Sequence, residues 1–182
     1  MENLDTLIAK RRRIREYLDR PVEKELIARM FEAARLAPSA CNAQPWRFVA
    51  VTDKELRQQL IGEGLGGVVV PNTWAKTAPA VIVVCSDTDF FTHRMGEKVQ
   101  GVQYHLIDLG IAMEHLVLKA TELGLGTCYI GWFNGKAIHK LLHIPSSWKV
   151  ECLITLGYPA KTPDATPRKP LDEVSFFNTY SR

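Results

Sequence analysis

A chain of 182 residues is long enough for one sizeable domain with its own core. With 46% apolar and 24% charged residues it has the balance of an average globular protein, and a formal charge of +3 from 23 basic and 20 acidic residues is too weak to argue for a nucleic-acid partner. No apolar run approaches the roughly 20 residues of a membrane helix, the start lacks a signal peptide's apolar centre, and the scattered Cys41, Cys85, Cys128 and Cys152 form no C-x-x-C pair, so a reduced cytoplasmic protein without disulfides is expected.

A short helix is predicted over 4–10, with Asp5 as its N-cap. Lys10, Arg11, Arg12, Arg13 and Arg15 follow as one dense basic cluster. From 23 to 37, Leu26, Ile27, Met30, Phe31 and Ala34 recur at helical spacing until Pro38 ends the helix. "WRFVAV" at 46–51 predicts a strand. Thr52 and Glu55 predict a capping box for a helix to about Ile61, followed by the glycine-rich loop "GEGLGGVVVPN". The continuously apolar "AVIVVC" at 80–85 predicts a buried central strand. Residues 87–101, polar and aromatic, read as a mobile flap or helical excursion. The longest helix is predicted over 102–123, striped by Leu106, Leu109, Met113, Leu116, Val117 and Ala120, with Gly124 after its C-cap. "GTCYIG" predicts a strand, 136–142 a short helix, and "WKVECLITLGYP" a last strand with Val150, Cys152, Ile154 and Leu156 on one face. No repeat or internal linker interrupts 1–182, so one domain is expected. Strands alternating with helices suggest a parallel doubly wound sheet by default, although periodicity does not settle strand direction.

Three stretches carry candidate chemistry. Four guanidiniums within residues 11–15 repel one another unless an anion or solvent separates them, and arginine suits bidentate phosphate binding. Arg168 and Lys169, far along the chain, could close on the same phosphate; a solvated basic face or a nucleic-acid patch explains the cluster equally well. In "PSACNAQPWRF" at 38–48, a helix stop with turn hydrogen bonding accounts for Pro38, Ser39 and Asn42, but not for Gln44, Pro45, Trp46 and Arg47 following at once. In "GLGTCYIGWF" at 124–133, three glycines interrupt a strand-like run, either as turn residues or to let a backbone approach a ligand. "GEGLGG" lacks the strand-before, helix-after context of a dinucleotide fingerprint. His139 and His143 are four apart with no glutamate beside them as in H-E-x-x-H, so no metal is expected.

"RRRIREY", "ARLAPSACNAQPWRFVAV", "APAVIVV", "IDLGIAMEHLVLKATELGLGTCYIGWF" and "ITLGYPAKTPDATPRKPLDEV", in this order and over nearly the whole chain, resemble the nitroreductase-like family of flavin mononucleotide (FMN) enzymes. The resemblance implies an α+β three-layer sandwich, a mixed, mainly antiparallel sheet flanked by helices. It implies an intertwined homodimer with an FMN at each interface, the helix at 102–123 forming much of the contact. It further implies electron transfer from NADH or NADPH to nitroaromatics, quinones or related small acceptors by a ping-pong route, with no obligatory protein acid or base. By carry-over, Pro38, Ser39, Ala40, Asn42 and Gln44 line the isoalloxazine, partly that of the partner subunit. Arg11, Arg12, Arg13 and Arg15 cover the phosphate and ribityl end, and Arg168 and Lys169 complete the clamp. Tyr129, Ile130 and Gly131 lie against the ring, with the Gly131 N–H a donor to N5. Arg13 stands where the family usually has serine. Trp132 stands where a second glycine is frequent, narrowing the substrate side. Asn72 and Lys76 are candidates for the pyrimidine edge. A reductive dehalogenase, a flavin-modifying enzyme with 87–101 as its lid, or a flavin-storage protein are the alternatives.

Overall fold

In the computed structural model, α1 (Leu4–Lys10) is capped by Asn3, whose Oδ1 accepts the Thr6 N–H at 2.9 Å. Asp5, the predicted cap, lies inside the first turn, where a carboxylate still gains from the positive helix end but the capping bond belongs to Asn3. The structure describes residues 3–66, 72–87 and 101–180, so most of the predicted flap at 87–101 lies outside it. Helix α2 (Lys24–Arg35) buries Ile27, Met30 and Ala34, the stripe that the sequence spacing marks. Strand β1 (Trp46–Val51) follows. Helix α3 (Lys54–Leu65) is capped by Asp53, whose Oδ1 accepts the Leu56 N–H at 2.8 Å, one residue later than the expected Thr52 box. A carboxylate there also gains from the positive helix end.

Helix α3 runs past Ile61 and takes in the first residues of the predicted glycine loop. Gly64 explains this: a Cβ there would come within 2.8 Å of the Ile138 side chain, so the glycine lets two helices lie close. The remaining elements are β2 (Ala80–Asp87), α4 (Tyr104–Glu122), β3 (Gly126–Ile130), α5 (Gly135–Leu141) and β4 (Trp148–Gly157). Gly124 closes α4 with φ +74, as its position after the stripe predicts.

The four described strands form one sheet in the order β1-β2-β4-β3, each pair antiparallel. This corrects the parallel default and agrees with the mainly antiparallel sheet that the resemblance implies. Strand β2 is central and buried on both faces. Ala80, Ile82 and Val84 pack toward α2 and α4; Val81, Val83 and Cys85 pack toward α3 and α5. The result is a three-layer α+β sandwich. One strand face differs from expectation. Val84 pairs with Cys152 and Cys85 with Val150, so Glu151 is an extra residue on β4. This bulge turns Val150 to the α3 and α5 side while Ile154 and Leu156 face α2 and α4. Glu151 itself accepts from Ser86 Oγ at 2.8 Å and pairs with Lys149 at 3.1 Å.

All four cysteines are free; burial pushes the Cys85 and Cys152 thiols up to about 11. Among the described residues no helix is long and apolar enough to cross a membrane.

Candidate functional site

The basic cluster leaves the C-cap of α1 and is laid directly against the edge of the sheet. Ile14 N–H donates to Thr127 O at 2.9 Å, and Arg13 bridges Thr127 in parallel register. Ile14 packs over Gly126, where a Cβ would come within 2.5 Å of its side chain, so only glycine admits this approach. Tyr17 anchors the far end, its buried hydroxyl donating to Ile14 O at 2.6 Å and lying 2.7 Å from Thr155 Oγ1.

This backbone aims the arginines at one cavity of about 470 Å³, lined by Ile8, Ala9, Arg11, Arg12 and Arg13 and, from the C-terminal segment, by Asp164, Ala165, Thr166 and Arg168. Two basic clusters more than 150 positions apart thus converge. Arg12 is tied down, its Nη1 donating to Ala9 O at 2.5 Å and Arg11 O at 2.9 Å. Arg168 Nη1 donates to Thr166 Oγ1 at 2.8 Å. Arg11 Nε lies 3.6 Å from Glu114 Oε1 on α4. Four guanidiniums against the one carboxylate of Asp164 leave the cavity lining net positive, and the chemistry that relieves it is a multiply charged anion with several acceptor oxygens. Arg15 and Lys169 do not line this cavity. Arg15 lies over the Trp74 ring, 5.2 Å from its centroid, and Lys169 is exposed.

The 38–48 stretch lies elsewhere. Cys41, Asn42 and Gln44 have φ of +51, +54 and +48, three non-glycine residues in the left-handed region within four positions. Each costs about 1–2 kcal/mol. Side chains hold the turn: Ser39 Oγ accepts the Gln44 N–H at 3.0 Å, Asn42 Oδ1 accepts from Gln44 Nε2 at 3.1 Å, and buried Asp108 on α4 accepts the Ala40 N–H at 3.0 Å. Trp46 is a core residue. Arg47 donates to Asp87 Oδ2 at 2.9 Å and to Gln44 O at 3.1 Å. The sequence reading left both unexplained, and strand alternation explains them: Trp46 faces inward and Arg47 reaches the neighbouring strand. Pro38, Asn42 and Gln44 are exposed, and none of the residues 38–44 lines the arginine cavity.

A third group gathers at the end of β3. Ile130 buries its side chain in the core, so only its backbone is available there. Tyr129 points outward, its hydroxyl donating to Glu114 Oε2 at 3.4 Å; partial burial raises its pKa, and the Glu114 carboxylate adds to the effect. A Cβ built on Gly131 meets nothing within 4 Å, so there is open space beside it. Trp132 is 58% exposed, which excludes a core role in this chain. Its carbonyl accepts from Asn72 Nδ2 at 3.3 Å, so Asn72 belongs to this end of the strand. Lys76 is exposed in the turn Thr73–Thr77.

Sequence reasoning missed Asp108, Glu114, Asp164 and Thr166. Asp108 was detectable as an acid inside an apolar stripe; the others carry no local signal. His139 Nε2 lies 3.0 Å from Pro145 O, and no group of three metal-type ligands occurs among the described residues.

Comparison with known proteins is consistent across sequence and structure. A family model described as Nitroreductase family matches residues 8–69 and 67–158. A putative NADH dehydrogenase/NAD(P)H nitroreductase of Archaeoglobus fulgidus is 36% identical over 168 residues, covering 90% of each chain. An FMN reductase [NAD(P)H] of Bacillus subtilis is 31% identical, covering 93% of this chain and 71% of its own. The solved structure of an FMN-dependent nitroreductase of Clostridium difficile superposes with a TM-score of 0.78 at 33% identity, over 97% of this chain and all of that one.

Proposed function

The chain belongs to the nitroreductase family, and from that membership we propose a site in which the arginine cavity holds the phosphate of FMN and the end of β3 faces its ring. The protein is an FMN-dependent NAD(P)H oxidoreductase. The donor set suits the cofactor. Arg11, Arg13 and Arg168 offer planar forks for phosphate oxygens, while Arg12, already bonded to backbone carbonyls, contributes charge and stiffens the turn.

FMN, when bound, supplies the hydride acceptor and donor. In this reading the Gly131 N–H would be a donor to N5 of the ring, and no side chain crowds the Cβ side of that residue. Asn72 offers its side chain at the pyrimidine edge, held by its bond to the Trp132 carbonyl. Exposed Trp132 limits which acceptors reach the ring. Nitroaromatics and quinones, flat and electron-poor, suit a face bordered by an exposed indole. Ping-pong kinetics would follow if nicotinamide and acceptor took turns at this end of β3, with solvent supplying the protons.

The working unit in this reading is a homodimer. The turn at 38–44 is held by its own hydrogen bonds yet stands apart from the arginine cavity, so Ser39, Asn42 and Gln44 serve the site across a subunit interface. A turn already fixed loses little freedom on binding. The C-terminal segment exposes Leu171, Val174 and Phe177, the last at 92%, and α1 and α4 expose Ile8 and Ile107. A groove of about 310 Å³ between α1, α2 and α4, with Leu7, Ala33, Leu36 and Leu118 as its apolar lining and His115, Lys119 and Glu122 as its polar lining, offers cover for such residues. Surfaces of this kind mark association sites.

The observation that carries the reading is the convergence of Arg11, Arg12, Arg13 and Arg168 on one cavity. The test is the purified protein itself. Stoichiometric FMN released by heat, with a visible flavin band bleached by NADH or NADPH and restored by a quinone or nitroaromatic, is the expected result. FAD in place of FMN, or a band that neither nicotinamide bleaches, overturns it; the second outcome points to flavin storage.

A further inference from the structure

We propose that Glu114 is a positioning residue for the cofactor phosphate, acting through Arg11. The inference rests on the FMN reading of the arginine cavity. Glu114 projects from α4 between two of the groups already described. Its Oε1 lies 3.6 Å from Arg11 Nε, and its Oε2 accepts from the Tyr129 hydroxyl at 3.4 Å. A guanidinium is a planar fork with a distinct Nε edge and two terminal amino groups. Glu114 takes the Nε edge. Among the described residues, the terminal amino groups of Arg11 meet no hydrogen-bond or ion-pair partner, and Arg11 lines the cavity. The carboxylate therefore sets the angle of the fork and leaves its binding end to the phosphate. Tyr129 in turn fixes the carboxylate. The same glutamate joins the phosphate cavity to the end of β3, the two parts of the site that a single chain supplies.

Two effects of Glu114 oppose each other. Its negative charge lowers the potential of the cavity, which weakens phosphate binding. Its contact orders a flexible side chain in advance, which strengthens binding. Glu114 is not among the residues that line the cavity and its side chain is half exposed, so at physiological salt, where screening acts over about 8 Å, the repulsion is damped. Ordering wins, because an arginine left free gives up a large share of its rotamer freedom when it binds.

Glu114→Ala and Glu114→Gln separate the two effects, because glutamine keeps an acceptor oxygen in nearly the same place without the charge. The assay titrates flavin-stripped protein with FMN and, separately, with riboflavin, which has the ring and ribityl chain but no phosphate. Glu114→Ala is expected to weaken FMN by about tenfold, equivalent to about 1.4 kcal/mol, and to leave riboflavin unchanged. Glu114→Gln is expected to stay within about threefold of the parent for both ligands. In an Arg11→Ala background, Glu114→Ala should have no further effect, the signature of one residue acting through the other. Wild-type FMN affinity in Glu114→Ala, or an equal loss of FMN and riboflavin, overturns the proposal. If Arg11→Ala alone leaves FMN affinity unchanged, the phosphate reading of the cavity falls and this inference with it. If Arg11→Ala weakens FMN and Glu114→Ala does not, only the inference falls.

Discussion

Trp132→Ala separates a gate from a packing residue, and the structure sets the size of each effect. A tryptophan buries up to roughly 250 Å² when fully enclosed. Trp132 is 58% exposed, so at most about 100 Å² is hidden here, and at about 25 cal/mol per Å² that amounts to about 2.5 kcal/mol, less the share an alanine keeps. A core tryptophan would cost about 3–5 kcal/mol. In a chain of this length about 1 kcal/mol moves Tm by 2–4 °C, so the variant should melt no more than about 8 °C early. The Asn72 contact is to the Trp132 carbonyl and survives the change. The measurements are Tm, FMN content, and kcat/KM for a small quinone and for a bulky nitroaromatic. The expected outcome is full flavin content, a modest Tm loss, and a gain of bulky over small acceptors. An unchanged acceptor ratio with full flavin refutes the gate; so does a collapse in Tm well beyond this range, which would mean that the ring is covered after all.

Other outcomes follow from the same geometry. Arg13→Ala removes an exposed side chain from the cavity, so Tm should hold while FMN affinity falls roughly ten- to a hundredfold, the worth of a charge-assisted bond; turnover at saturating FMN should recover, and an unchanged affinity refutes the assignment. Thiol alkylation of the native protein at neutral pH should label Cys41 alone, since it is exposed while Cys85 and Cys152 are pushed up to about 11, and bound FMN should slow the labelling if the 38–44 turn contacts it; mass spectrometry reads both. The hydrogen bond from the Tyr158 hydroxyl, then the residue's own backbone and Arg20, lowers the Glu23 carboxyl to about 2, so its contribution to stability is complete above the ordinary carboxylate range and is lost as pH falls toward 2; Tyr158→Phe should flatten that acid limb of the Tm profile. Sedimentation should give a dimer at micromolar concentration, and ending the chain at residue 169 should shift it toward monomer by removing Leu171, Val174 and Phe177; a stable, flavin-loaded monomer of the full chain would sink the two-subunit site.

Much of the fold was legible because its signals are local. The stripes of α2 and α4, the uninterrupted apolar run of β2 and the turn at Gly124 each state their own structure within a few residues. The features that escaped depend on partners distant in sequence. Strand direction is a property of the path between strands. The bulge at Glu151 exists only because Cys85 pairs with Val150 and not with Glu151. Gly62 and Gly64 look like loop residues until Ile138 lies against the helix that carries Gly64. Of the basic cluster, charge marked Arg11, Arg12 and Arg13 and even the remote Arg168, which the fold brings to one cavity. That Arg15 would be drawn over Trp74 instead needs a contact which no pattern near either residue reveals.

The turn at 38–44 shows how structural and functional roles share the same residues. Three left-handed residues cost together several kcal/mol, since each is disfavoured by about 1–2. Something must offset that, and the hydrogen bonds from Gln44 to Ser39 and Asn42, from Ala40 to Asp108 and from Arg47 to Gln44 do so at roughly 1 kcal/mol each. The polar density that first drew attention to the stretch is therefore largely spent on holding its own shape. What remains outward is specific: exposed Asn42 and Gln44 on a backbone that has little freedom left to lose. A loop strained to this degree persists only where the surrounding structure over-determines it, and Asp108 is the member of that surround furthest from the loop in sequence. Asp108→Asn keeps an acceptor for the Ala40 N–H, whereas Asp108→Ala removes it. If the strain serves the neighbouring subunit's flavin, Asp108→Ala should weaken FMN binding more than Asp108→Asn, with the dimer intact.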